Sequence, residues 1–113
     1  MSEYSNGEPW DNAADEHHEL NNLISIIGNR VYGAPEVDKA IGQAQNSLET
    51  SVAHHNEGRY REAHKHIKIT GEHIERAAQL GSAHTSDPYY GLSMHPASFA
   101  ESSGIAYKNA YLS

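Results

Sequence analysis

The chain has 113 residues and a mass of 12.4 kDa, room for a single domain. Fifteen acidic residues against eight basic ones give a formal charge of -7, which argues against a protein whose work is coating DNA or RNA. Cysteine is absent, so disulfide scaffolds, thiolate zinc sites and cysteine nucleophiles are excluded. No run of ~18 apolar residues suggests a membrane span, and Met1-Ser2-Glu3-Tyr4 offers neither the basic region nor the apolar stretch of a secretory signal. Large aliphatics and phenylalanine number 18 of 113 residues, below the roughly one-fifth that separates folded chains from disordered ones at high net charge. A monomer built from this set is marginal. Either the tails are disordered, or the core is completed against another chain.

Residues 1–10 read as an extended acidic arm, with Pro9 before the single tryptophan, Trp10. From Met1 to Glu19 there are six acids and no lysine or arginine, a composition that reads first as a solvated acidic tail and alternatively as an arm docking on a basic neighbour with Trp10 as anchor. A first helix is expected over about 11–31, with Asp11 as N-cap and Leu20, Leu23, Ile24, Ile27 and Val31 on one face. Gly33 ends it, and Pro35 opens a second helix over about 35–56, carrying Val37, Ile41, Ala44, Leu48 and Val52. Gly58 suits a left-handed cap, and a third helix follows over about 59–80 with Ala63, Ile67, Gly71 and Ile74 as its stripe. So short a turn makes the second and third helices antiparallel neighbours. Counting outward from it pairs Val52 with Ala63, Leu48 with Ile67, Ala44 with Gly71 and Ile41 with Ile74. Ala44 and Gly71 are expected to let these two helices approach closely. Gly81 is expected to close the helical domain at residues 11–81, leaving residues 82–113 as an aromatic, Ser/Gly-rich arm. Tyr89, Tyr90, Phe99, Tyr107 and Tyr111 make that arm too sticky for a flexible linker.

Nine histidines raise the question of metal. His18-Glu19-Leu20-Asn21-Asn22 has Asn where a zinc-protease helix needs its second His, and no Glu-x-x-His pair of the di-iron kind occurs. A site from His54, His55, Glu62 and His66 could be built across the mouth of the hairpin, but nothing in the spacing requires it. The expectation is no metal and no cofactor. No Gly-x-Ser-x-Gly elbow or phosphate-binding glycine loop is present, and no enzymatic activity is expected.

Three resemblances bear on these segments. Arg59-Tyr60-Arg61-Glu62-Ala63-His64 resembles the Arg-x4-His motif of HEPN ribonucleases, which implies RNA cleavage by Arg59 and His64 at a dimer cleft; Arg61 and His66 match equally well. Gly58-Arg59-Tyr60-Arg61-Glu62-Ala63 is similar to the turn inside a tetratricopeptide repeat, over about ten residues, with no second copy to form an array. The whole layout resembles small accessory virion proteins of tailed bacteriophages, in which an acidic N-terminus and a His- and Ala-rich hairpin precede an aromatic arm. That resemblance implies a capsid-decorating or head–tail assembly role in many copies, in the virion or host cytoplasm; a cellular origin would imply the cytoplasm.

The sequence thus predicts an all-α protein, a three-helix unit dominated by a long antiparallel hairpin with extended N- and C-terminal arms. It is expected to be a non-enzymatic structural or assembly protein that binds itself and other subunits, with neither membrane nor nucleic acid as partner. The expected partner-binding residues are Trp10, Tyr89, Tyr90, Phe99, Tyr107, Tyr111, Arg59, Arg61 and Lys65. The alternatives are a small helical binding module acting as a discrete oligomer, and a HEPN-like ribonuclease.

Overall fold

A computed structural model describes residues 16–31, 33–87, 89–92 and 95–113. The expected acidic arm, Trp10 and the start of the first helix lie outside the described residues. Five α-helices are described: α1 Glu16–Arg30, α2 Pro35–Asn56, α3 Tyr60–Gly81, α4 Phe99–Ser102 and α5 Ile105–Tyr111. Short 3-10 turns at Ser82–His84 and Pro96–Ser98 extend α3 and lead into α4. Among the described residues there is no strand, and no helix is long and apolar enough to cross a membrane.

Local chemistry explains the main boundaries. Gly33 takes φ +82° after α1, where a side chain would be strained. Pro35 at the first turn of α2 loses nothing by lacking an N–H. At the far end Gly58 takes φ +78° while its N–H bonds the His55 carbonyl and the Arg59 N–H bonds that of His54. The chain reverses there, so that Glu36, Lys39 and Gln43 of α2 line a common cleft with Glu72, Arg76 and Gln79 of α3. Leu20, Leu23, Ile24 and Ile27 of α1 bury their apolar face with Val37, Ala44 and Leu48 of α2 and with Ile67, Ile74 and Ala78 of α3.

The extended C-terminal arm is not what the structure shows. From Pro96 onward the chain is largely helical and folds back on its own hairpin, where Tyr90, Phe99 and Tyr107 are almost wholly buried. The shortage of large aliphatics is therefore met within the chain, since each buried aromatic contributes on the order of 150–250 Å² of contact surface. Two glycines make room for this segment. A Cβ on Gly71 would lie 2.5 Å from Ser103 Cβ and 3.1 Å from the Phe99 carbonyl oxygen. The close approach at Gly71 thus admits the turn after α4, a contact different from the expected one with Ala44. Gly81 is the last residue of α3 and keeps a right-handed helical conformation into the 3-10 turn that follows; a Cβ there would meet the Tyr90 hydroxyl at 2.7 Å and Val31 at 3.1 Å.

Tyr90 is held in an unusual way. Its φ of +57° is left-handed, a costly conformation for an aromatic residue. Both oxygens of the Asp87 carboxylate accept backbone N–H groups around it, from Tyr89 at 3.1 Å and Gly91 at 2.8 Å. The Tyr90 hydroxyl donates to the Ala78 carbonyl at 2.9 Å, so the strained residue pins the loop to the end of α3.

These contacts predict opposite outcomes for one substitution at two helical glycines. Alanine gains about 1 kcal/mol over glycine from helix propensity. Gly42→Ala meets nothing within 4 Å and is expected to stabilise by roughly that amount. Gly71→Ala must displace Ser103 and is expected to destabilise by about 1–3 kcal/mol. Urea denaturation of both variants measures the difference; equal effects would show that α4 does not dock where described.

Candidate functional site

The end of the bundle beside the α2–α3 turn concentrates the side chains capable of chemistry. Glu16 opens the described part of α1 and is fully buried. Its carboxylate accepts the Gly104 N–H at 2.7 Å and the Tyr107 N–H at 3.1 Å, two of the donors that a helix start leaves unpaired. Gly104, the residue before α5, takes φ +92° and has no side chain with which to cap. Burial pushes the Glu16 carboxyl above its ordinary value, against the two backbone N–H bonds and the Lys68 charge, which favour the anion.

Held this way, α5 brings Tyr107 and Tyr111 onto the histidines of α1 and α2. His55 Nδ1 shares a 2.8 Å hydrogen bond with the Tyr107 hydroxyl. Desolvation first, then Tyr111 and Tyr60, pushes this phenol up to about 12, so it stays protonated. Tyr111 packs on Tyr60 with ring centroids 4.9 Å apart and on Tyr107 at 4.6 Å.

His17 Nε2 lies 2.7 Å from Ser51 Oγ. The pair has the components of a nucleophile and its base, but the proton is committed elsewhere. Ser51 is buried in α2 and its hydroxyl donates to the Ala63 carbonyl at 2.8 Å. A hydroxyl has one proton, so His17 Nε2–H must be the donor to Ser51. Burial, then the neighbouring His55, push His17 down to about 4. This neutral histidine ties α1 to α2.

The outer face of the same region is basic. Arg61, Lys65 and Lys68 lie three and four residues apart along α3 and are exposed, as is Lys108 of α5. His64 sits among them, stacked against Tyr107 at 6.5 Å. Burial lowers its pKa, and Lys68 and Lys108 lower it further, against a bond to the Gly104 backbone. With Arg59, five of the chain's eight basic residues belong to this end.

The expected partner-binding residues thus fall into different environments. Tyr90, Phe99 and Tyr107 are buried in the chain's own core, so they are not free to anchor a neighbour. Tyr111 is half-buried, Tyr89 is 43% exposed, and Arg59, Arg61 and Lys65 are exposed. Arg59 pairs with Glu57 and donates from Nε to His54 Nδ1 at 3.0 Å. The two residues of the HEPN-like motif therefore have separate neighbours, Arg59 at the α2 side of the turn and His64 beside α5. The cleft of about 770 Å³ between α2 and α3 is bordered by Glu36, Lys39, Glu72, Glu75 and Arg76, charges of both signs.

Sequence reasoning missed Glu16, Ser51 and His17 as a connected group. Asp15 and Glu16 read as ordinary first-turn acids, and no local signal reveals a carboxylate that caps a helix 88 residues later. The chain matches no protein-family profile, no curated protein and no solved structure.

The His17 environment predicts a pH dependence of stability. Its folded value of about 4 lies below the ~6.5 of an unfolded chain, so between these values the unfolded state binds a proton that the folded state refuses. Stability from this group is complete above about pH 6.5 and is lost as pH falls toward about 4. Allowing for its partial exposure, the loss is expected to be on the order of 1 kcal/mol. The raised Glu16 carboxyl acts oppositely, stabilising the folded state as pH falls through its folded value toward 4.5. His17→Gln keeps a donor toward Ser51 and does not titrate, so its urea-unfolding free energy is expected to fall less than wild type between pH 7 and pH 5. Identical slopes in the two proteins would exclude His17 as the source.

Proposed function

We propose that this chain is a non-enzymatic assembly protein, and that the basic, aromatic face of α3 and α5 receives the acidic N-terminal segment of a second copy. The observation that carries this reading is the gathering of Arg61, Lys65, Lys68 and Lys108 around His64 in a chain of net charge -7. Tyr60, 37% exposed and packed on Tyr111, adds apolar contact at the same end. Residues 1–15 supply Glu3, Glu8, Asp11 and Asp15 with no lysine or arginine, and Trp10 as an anchoring ring. Each exposed ion pair contributes only about 0–1 kcal/mol; several pairs together with buried tyrosine and tryptophan surface supply specificity and affinity.

In this reading the long hairpin is the scaffold, and the C-terminal residues serve it by placing α5 instead of reaching for a neighbour. An accessory role in a virion is the form of the same proposal in which further subunits use this face. The internal commitment of the Ser51 proton and of the His55–Tyr107 hydrogen bond favours structure over catalysis for these groups.

Light scattering over a range of protein concentrations tests the proposal. Wild type is expected to exceed the 12.4 kDa monomer mass at low salt and to shrink as the Debye length falls below ~10 Å with added salt. Arg61→Glu with Lys65→Glu is expected to leave monomer. Adding Glu3→Lys, Glu8→Lys and Asp11→Lys to that variant is expected to restore association. A wild type that stays monomeric throughout, or a mass indifferent to the reversal, would overturn the reading.

A further inference from the structure

His54, in the last turn of α2, and Glu62 and His66, four residues apart on one face of α3, meet across the turn between the two helices. One ligand atom from each lies within 4.8 Å of the other two. The imidazoles stand nearly parallel, 19° apart in plane, with centroids separated by 5.5 Å. His55, the next residue on α2, is turned away and engaged with Tyr107.

We propose that His54, Glu62 and His66 form a binding site for a divalent transition-metal ion of the zinc class. Two imidazoles and one carboxylate, with no sulfur, suit Zn²⁺, Co²⁺, Ni²⁺ or Cu²⁺ better than Mg²⁺ or Ca²⁺, which prefer sets made wholly of oxygen. Three protein ligands leave a fourth tetrahedral position for water. With metal–ligand bonds of about 2.0–2.2 Å, ligand atoms in a tetrahedral site stand about 3.3 Å apart. Closing the triad therefore takes on the order of 1.5 Å of side-chain movement. Glu62 is exposed and both imidazoles are only partly buried, so that movement disturbs no core packing. The same three groups are supplied by helices whose ends the Gly58 turn holds together, which fixes their separation without a loop.

Arg59 is the internal competitor for this site. Its Nε donates to His54 Nδ1 at 3.0 Å, and its guanidinium also pairs with Glu57. In that state the neutral His54 ring carries its proton on Nε2, so neither nitrogen offers a free lone pair. Metal binding must displace Arg59 from His54, either to take Nδ1 directly or to let the proton move to Nδ1 and free Nε2. Arg59 can then remain on Glu57 alone. The site thus carries a built-in handicap, and removing it should raise affinity.

The test uses the full chain without an affinity tag, stripped with EDTA and exchanged into a buffer that does not bind metal. ZnCl2 is titrated by calorimetry, and CoCl2 is followed by visible absorption, since tetrahedral cobalt has intense ligand-field bands. One equivalent per chain is expected with either metal. His54→Ala, His66→Ala and Glu62→Gln are each expected to weaken binding at least about tenfold, a loss typical of damaged metal sites. Arg59→Gln is expected to tighten it. His84→Ala, an exposed histidine elsewhere, is expected to change nothing, and far-UV circular dichroism confirms that the variants remain helical. No saturable binding by wild type, or equal losses from His84→Ala and the triad variants, would overturn the proposal. The ligand set shares no side chain with Arg61 and Lys65, so absence of metal binding and absence of assembly are separate outcomes and each proposal can fail while the other stands.

Discussion

The carboxylate of Glu16 joins the two ends of the described chain, and most of the candidate site depends on it. A buried anion is costly unless its lone pairs are satisfied. Here the satisfaction comes from the Gly104 and Tyr107 N–H groups, with Lys68 as the nearby countercharge. The arrangement serves both partners, because α5 has seven residues and no capping side chain of its own, too few for a helix that must stand without support. Gly104 is needed twice over. Its φ of +92° suits glycine, and a Cβ there would come within 3.0 Å of His64 Nε2. From this joint follow the Tyr107 hydroxyl on His55, the Tyr111 ring on Tyr60, and Lys108 beside His64. A basic face that spans two helices distant in sequence exists because one acid is buried beneath it.

The all-α character could be read directly from the chain. Leucine and isoleucine recur at helical spacing in three long segments, and glycine or proline stands at the turns between them. The C-terminal third was harder to read for a physical reason. Its helices are four and seven residues long, so their stability comes from docking and not from propensity or caps. The aromatic content did signal adhesion. Its target was set by remote residues: the bare Cα of Gly71, which admits Ser103, that of Gly81, which admits Tyr90, and the Glu16 carboxylate. A glycine on an apolar helix stripe looks the same in sequence whether it faces a neighbouring helix or a returning loop. At Gly71 the missing Cβ makes room for Ser103 and the Phe99 carbonyl, a third layer of chain that a two-helix seam does not reveal.

The histidines show the same limit. In sequence they form adjacent or alternate pairs, His54-His55 and His64-Lys65-His66. On a helix each step turns about 100°, so such pairs part company. His55 enters the tyrosine cluster with His17, while His54 faces His66 across the turn. His64 turns to α5 and the lysines. The spacing of the residues allowed a site at the hairpin mouth but could not choose among four candidates. The helix faces bring His54, Glu62 and His66 together, and turn the half-buried His55 to the tyrosine cluster.

Arg59 stands where these environments meet. It is the residue before α3, it belongs to the basic group, and its two partners are Glu57 and the histidine that would ligate metal. A dication in the triad would replace one guanidinium contact with two positive charges and leave the arginine near its carboxylate partner. The net result is more positive charge at the hairpin end, adjacent along α3 to the exposed Arg61 and Lys65. Charges separated by less than a Debye length of about 10 Å act together on an approaching acidic segment. If both proposals hold, metal occupancy and assembly would be coupled in sign, each favouring the other, although the ligands and the outer basic stripe are different side chains. By linkage that coupling is reciprocal: an acidic segment seated on α3 and α5 would hold the metal more tightly, to the same extent that the metal strengthens the contact.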